Sequence, residues 1–143
     1  MPRKIATDIQ DEVRRRADFL CEYCHTSERW QYVRFTFDHI DPDGDSSTEN
    51  LALACFHCNR RKSNKTDGVD PKTETIVSFF NPRVHTWSDH FEWSEDGLLI
   101  LGKNSIGRAT VNALELNRIR ILLIREADKG VNRHPPKADL GQS

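Results

Sequence analysis

Long apolar runs are missing from this chain of 143 residues. The richest stretch, residues 119–124 (IRILLI), is interrupted by Arg120. It falls far short of the roughly 20 residues a membrane helix needs, so no membrane partner is expected. The first ten residues, MPRKIATDIQ, lack the apolar segment of a secretory signal, which predicts a cytoplasmic protein. A strong excess of one charge is missing too. Twenty-one Lys and Arg stand against 22 Asp and Glu, for a net charge of −1, so the bulk charge does not mark a generic DNA-coating protein. Hydrophobic residues make up 36% and aromatics 8%, enough for only a modest core, to which a metal staple would add.

Charge and cysteine are, however, clustered. Arg14, Arg15 and Arg16 form one basic run, and Arg60, Arg61, Lys62 and Lys65 form a second. Acidic residues collect between them at Asp38, Asp41, Asp43, Asp45 and Glu49. Four cysteines fall in two pairs, Cys21 with Cys24 (CEYC) and Cys55 with Cys58 (CFHC). In a reducing compartment such pairs are metal ligands before they are disulfides. Each turn offers two thiolates to one ion, and two turns complete a closed tetrahedron around a structural Zn²⁺.

Patterning predicts an N-terminal helix opened by a capping box of Thr7 and Gln10. Ile9, Val13, Ala17 and Leu20 line its apolar stripe, and its end falls near Cys21. Residues 33–40 (VRFTFDHI) alternate as a strand, followed by a turn-rich DPDGDSS and a short basic helix over residues 59–65. Residues 66–73 read as a linker. Beyond it, residues 90–93 and 98–101 flank SEDG as a hairpin, and one amphipathic helix runs over residues 110–128. The tail from Gly130 reads as frayed. The fold class is α+β, with residues 1–66 as a zinc-stapled core bearing the N-terminal helix, and residues 67–143 as a hairpin-and-helix extension packed on it.

The chemistry-bearing residues lie between and beside the knuckles. His39 titrates near neutral pH and suits a general base. Asp38 and Asn59 are hard oxygen donors of the kind that bind Mg²⁺ or Mn²⁺. Asn50 can fix the loop that carries His39. Adjacent strand residues point to opposite faces, so Asp38 and His39 can flank one phosphate only near a strand end. Arg60, Arg61, Lys62 and Lys65 are candidate nucleic-acid backbone contacts, joined by Arg14, Arg15 and Arg16.

The pattern CEYC, FDHI and ENLALACFHCNRRK, spanning residues 18–65, resembles the zinc-containing HNH endonucleases (ββα-metal, or His-Me finger, nucleases). The resemblance implies two antiparallel strands and a helix clasping one catalytic cation. It assigns His39 to water activation, Asp38 and Asn59 to the cation, and Asn50 to loop structure. Asn59 stands where the family's last His often lies. The segments FFNPRVHTWSDHFEW and GRATVNALELNR are similar to the tails of small bacterial HNH proteins. The reaction expected is hydrolysis of DNA phosphodiesters, with RNA left open, by a monomer or homodimer. The rival is a non-catalytic zinc module that binds nucleic acid or protein; it shares the zinc and the fold but not the need for His39. A redox CxxC protein is the weaker rival, since the βαβ context of such proteins is missing.

Overall fold

The computed structural model describes residues 3–140. The chain divides into two compact units, Met1–Thr66 with Asn81–Val84, and Asp67–Phe80 with His85–Ser143. Among the described residues, no helix is long and apolar enough to cross a membrane.

The first unit opens with α1, Thr7–Arg16. Asp8 in its first turn and three arginines in its last complement the helix dipole. The capping box does not form. Ala6 holds the N-cap position without a side-chain bond, and Gln10 turns back to donate to the Ile5 carbonyl at 2.9 Å. The helix also stops five residues before Cys21, because Asp18 and Phe19 adopt φ of 53° and 61°, which turns the chain toward the first knuckle. Val13 is fully buried. Arg14 is buried with it, ion-paired to Glu28 at 3.0 Å and lying over the Phe37 ring.

Strand β1, Thr36–His39, pairs antiparallel with β2, Leu51–Ala54, and His39 stands opposite Leu51. The strand is shorter than the alternating run, since residues 33–35 lie outside it. All four residues of β2 are buried. Helix α2 is Phe56–Lys62, earlier than the basic run suggests. Cys55 caps it, its sulfur accepting from the Cys58 N–H, so the knuckle and the helix start are one structure. Strand, strand and helix thus follow in ββα order.

Among the described residues, the second unit contains two hairpins and four helices. Strands β3, Asp67–Val69, and β4, Ile76–Ser78, pair antiparallel, so the expected linker is a strand and a turn. Its Pro71 serves a turn in which the Asp70 carboxylate accepts from the Lys72 N–H and the Thr73 hydroxyl, while Gly68 lies in β3 opposite Val77. Helix α3, Trp87–His90, leads into β5, Phe91–Trp93, which pairs with β6, Ile100–Gly102, across the SEDG turn. The single expected C-terminal helix is two, α4 Ser105–Leu114 and α5 Ile119–Gly130. Glu115 breaks them with φ of 50°. The break lets Asn117 bracket β6 by bonding both the N–H and the C=O of Ile100, at 2.8 and 2.9 Å. Helix α4 lies so close to the end of α3 that a Cβ on Gly107 would stand 2.1 Å from the His90 carbonyl oxygen. Phe79, Phe80, Phe91, Ile100, Leu114, Leu116 and Ile121 fill the core. From Gly130 to Leu140 the tail is docked rather than frayed, its last three residues lying outside the described ones: α6, Lys137–Leu140, follows His134, which pairs with the Gly97 carbonyl, and Trp93 donates to Asp139 at 2.9 Å.

Candidate functional site

Cys21, Cys24, Cys55 and Cys58 are buried together, their sulfurs all within 4.8 Å of one another. A Zn–S distance of about 2.3 Å in a tetrahedron separates sulfurs by about 3.8 Å. Cys24 and Cys55 lie at 3.8 Å. The first knuckle is shaped by backbone bonds from Cys21 N–H to Thr26 O and from His25 N–H to Cys21 O, with His25 at φ 59°. Burial pushes the Cys21 thiol well up. Four sulfurs packed this closely suit one shared cation, which would hold them as thiolates. The residues fit a structural Zn²⁺.

The knuckle also reaches toward β1. Tyr23, buried between two ligands, donates its hydroxyl to Asp38 Oδ2 at 2.6 Å. Lys62 approaches the same oxygen at 3.1 Å. Burial pushes the Tyr23 phenol well up, followed by the neighbouring Asp38 charge, so it stays a donor. Burial also pushes the Asp38 carboxyl up, while Lys62 and Tyr23 pull it back. Lys62 is only 2% exposed and bonds Asp38 and the Ile40 carbonyl. It is therefore withdrawn as a nucleic-acid contact. The reason is that a long aliphatic stem can bury when its ammonium meets a buried carboxylate. Arg14 is withdrawn for the same reason, through Glu28. Arg16 reaches the Thr48 and Leu51 carbonyls. Arg60, Arg61 and Lys65 remain on the surface.

His39 is the last residue of β1, at the strand end that lets it share a region with Asp38. Its Nε2 lies 2.9 Å from the Ser46 hydroxyl. Burial and then the nearby Arg3 lower its pKa, which favours the neutral ring; Asp38 and Asp45 act the other way. Asn50 braces the loop after His39. Its Oδ1 accepts the Asp41 N–H at 2.9 Å, and its Nδ2 donates to the Asp41 and Asp45 carbonyls. A Cβ on Gly44 would stand 2.5 Å from that Nδ2, so only glycine lets the loop wrap the amide. Asn59 donates to Thr36 Oγ1 at 2.8 Å, which ties α2 to β1.

Asp38, His39 and Asn59 line one cleft of about 700 Å³, together with Arg3, Thr36 and Asn64. Tyr23 and Lys62 converge on Asp38 Oδ2, leaving Oδ1 with only a long Lys62 contact of 3.4 Å. That oxygen and the Asn59 amide oxygen are hard donors, and they fit a divalent cation in type. Among the described residues, the four cysteines are the only group of three or more His, Cys, Asp or Glu placed to hold a metal.

Three contributors escape the sequence reading. Tyr23 carries no signal beyond its place between two ligands. Ser46 sits in a run of turn residues where any hydroxyl looks like loop. Arg3 reaches the Pro42 and Gly44 carbonyls from 39 and 41 residues away.

Residues 21–65 match the model of the HNH endonuclease family. No curated protein and no solved structure matches the chain. With its buried four-cysteine cluster and ββα order, this segment is an HNH-like zinc-binding module.

Proposed function

We propose that the cleft of the first unit hydrolyses phosphodiester bonds in nucleic acid, DNA first among the substrates, in a reducing cytoplasmic setting where the thiols stay with zinc. One observation carries the reading: Asp38, His39 and Asn59 line a single cleft within the segment that matches the HNH model.

In this reading His39 Nε2–H donates to Ser46 Oγ, which leaves Nδ1 unprotonated to accept a proton from water. The water oxygen attacks phosphorus, the bond to the leaving oxygen breaks, and the proton passes to His39. Asp38 and Asn59 would hold Mg²⁺ or Mn²⁺, whose chemistry when bound is neutralisation of charge on the phosphate. Asn50 keeps the His39 loop in one shape. Arg3, on the cleft wall, supplies a fixed positive charge toward the phosphate. Arg60, Arg61 and Lys65 contact the nucleic-acid backbone without reading sequence.

The test is nicking of supercoiled plasmid with Mg²⁺, Mn²⁺ or EDTA, beside a His39→Ala variant that retains its zinc. Metal-dependent nicking that falls at least about 100-fold in the variant is expected. Equal nicking by the variant removes His39 as the base.

A second reading has its own observation. Asp38 is 2% exposed and already neutralised by Lys62. A module that only binds nucleic acid or protein needs nothing more of it. On this reading no metal elicits cleavage, and His39→Ala leaves binding unchanged.

A further inference from the structure

The segment between the first knuckle and β1 presents aromatic surface to water. Tyr32 is fully exposed, Val33 is 66% exposed and Trp30 45%. Arg34 stands exposed beside them. Residues 29–34 read RWQYVR and contain no acidic side chain. Singly exposed apolar residues are ordinary, but three of them interleaved with arginine in six residues are a compositional patch.

The loop is also held firmly at its base. Buried Glu28, before it, accepts the Phe35 N–H, after it, at 2.6 Å, and is itself paired with Arg14. Arg29 is fixed by the Asp18 carbonyl and carboxylate and lies 4.5 Å from the Phe19 ring centroid. A loop closed by one carboxylate presents its tip in a prepared shape, so ordering it on binding costs little. Phe35 lines the His39 cleft. Tyr32 precedes Phe35 by three residues, so its backbone stands at most about 11 Å from that cleft wall.

We infer that residues 30–34 form a base-stacking platform that leads unpaired nucleotides into the His39 cleft, so that the substrate is single-stranded or locally unpaired nucleic acid. This rests on the nucleic-acid reading above and narrows its substrate class. Every base offers a face to stack on Tyr32 or Trp30, and Arg34 attracts the backbone. In a duplex those faces are already stacked on neighbouring bases, and an exposed ring meets only phosphate and groove edges. The even bulk charge agrees, since stacking carries affinity without a wide basic surface.

The test measures binding without catalysis. Fluorescein-labelled single strands, and blunt duplexes of the same sequence, are titrated with the full chain without added divalent metal, and anisotropy is read with the oligonucleotide shown intact. Single strands bind at least tenfold more tightly than duplex. Tyr32→Ala weakens single-strand binding about tenfold and Tyr32→Trp preserves it, with zinc content and Tm unchanged in both. Equal affinity for the two forms, or a Tyr32→Ala variant that binds single strands as the parent does, overturns the platform. So does failure to bind any oligonucleotide, which makes the patch a protein-docking surface. Single-strand binding that persists while plasmid and single strands go uncut sinks the hydrolytic reading and leaves the platform standing.

Discussion

The two units bury charge for different purposes. In the first, the buried polar groups are drawn around a metal site and a cleft: four cysteines, then Tyr23, Asp38 and Lys62, then Arg14 with Glu28. Its sheet has only two strands of four residues each. In the second, buried charge stitches the chain to itself. Arg125 donates to the Leu98 and Leu116 carbonyls and to Asn117, and Arg108 grips Asp70 with two bonds of 2.8 and 2.9 Å. Phe80, Trp87, Phe91 and Trp93 pack ring against ring, and the Arg125 guanidinium lies over Trp93. The first unit is therefore built around a cluster suited to an ion, and the second around hydrogen bonds and apolar burial.

Zinc removal separates them most sharply. Structural zinc contributes about 10–16 kcal/mol in small domains, so stripping it with a strong chelator, or Cys58→Ser, unfolds the first unit. Trp87 and Trp93 lie in the second unit, and their near-ultraviolet circular dichroism survives. Simultaneous loss of both signals would show the two units to be one cooperative body.

Buried ion pairs provide the next contrast. Lys62→Met leaves the Asp38 carboxylate buried beside Tyr23 alone and costs the first unit about 3–5 kcal/mol. Adding Asp38→Asn restores most of that, because no unpaired charge remains. Calorimetry of the two single variants and the double variant measures the coupling. In the second unit, Arg125→Met strips donors from three acceptors and costs on the order of 3 kcal/mol, read by urea unfolding of tryptophan fluorescence. No partner substitution rescues it, since its acceptors include two backbone carbonyls.

Acid distinguishes the units by direction. The Arg108 guanidinium, with the Lys72 N–H and the Thr73 hydroxyl, holds the Asp70 carboxyl well below its ordinary 3.8. A carboxyl lowered in the folded state adds stability above its unfolded pKa and loses it as pH falls toward the folded value. The second unit weakens below about pH 3.8, and Asp70→Asn flattens that dependence. The first unit fails at milder acidity, when protons compete with zinc for sulfur. A pH titration of zinc release beside tryptophan fluorescence resolves the two steps, and a single shared step would contradict the comparison.

Legibility in the sequence follows the same division. The cysteine pairs, Asp38 with His39, Asn50 and Asn59 stand out because their chemistry depends on local spacing; the four sulfurs cluster, Asp38, His39 and Asn59 line one cleft, and Asn50 braces the loop beside it. The strand, the knuckle turns and the SEDG hairpin are legible for the same reason. What local pattern cannot show is the partner of a charge. Lys62 and Arg14 read as surface cations, and only the fold brings Asp38 and Glu28 to them. The break at Glu115 is hidden likewise, since no Gly or Pro marks it and the Asn117 bonds to β6 that it permits are set by the fold. The segment of β3 and the turn after it looks like a linker because its Asp, Gly and Pro are turn residues; Asp67 and Gly68 are in the strand, and the turn at Pro71 is held by an Asp70 anchored by an arginine 38 positions away.

Helix starts carry the contrast to its smallest scale. Sequence gives α1 a capping threonine, yet Thr7 lies inside the helix and Ala6 at the cap makes no side-chain bond. Thr7→Ala should therefore change stability by less than about 0.5 kcal/mol. Asn104 carries a weaker sequence signal, with no Glu or Gln three residues on. Its Oδ1 nevertheless accepts the Gly107 N–H at 2.9 Å and lies 3.1 Å from His90 Nδ1, and its Nδ2 donates to the Asp89 carbonyl. Asn104→Ala removes the cap of α4 and its tie to α3 together, and should cost about 1–2 kcal/mol. Measured side by side by urea unfolding, the two substitutions oppose motif to geometry. If Thr7→Ala proved the costlier, α1 would be capped in solution, and the first unit would lean on local helix chemistry as well as on its metal.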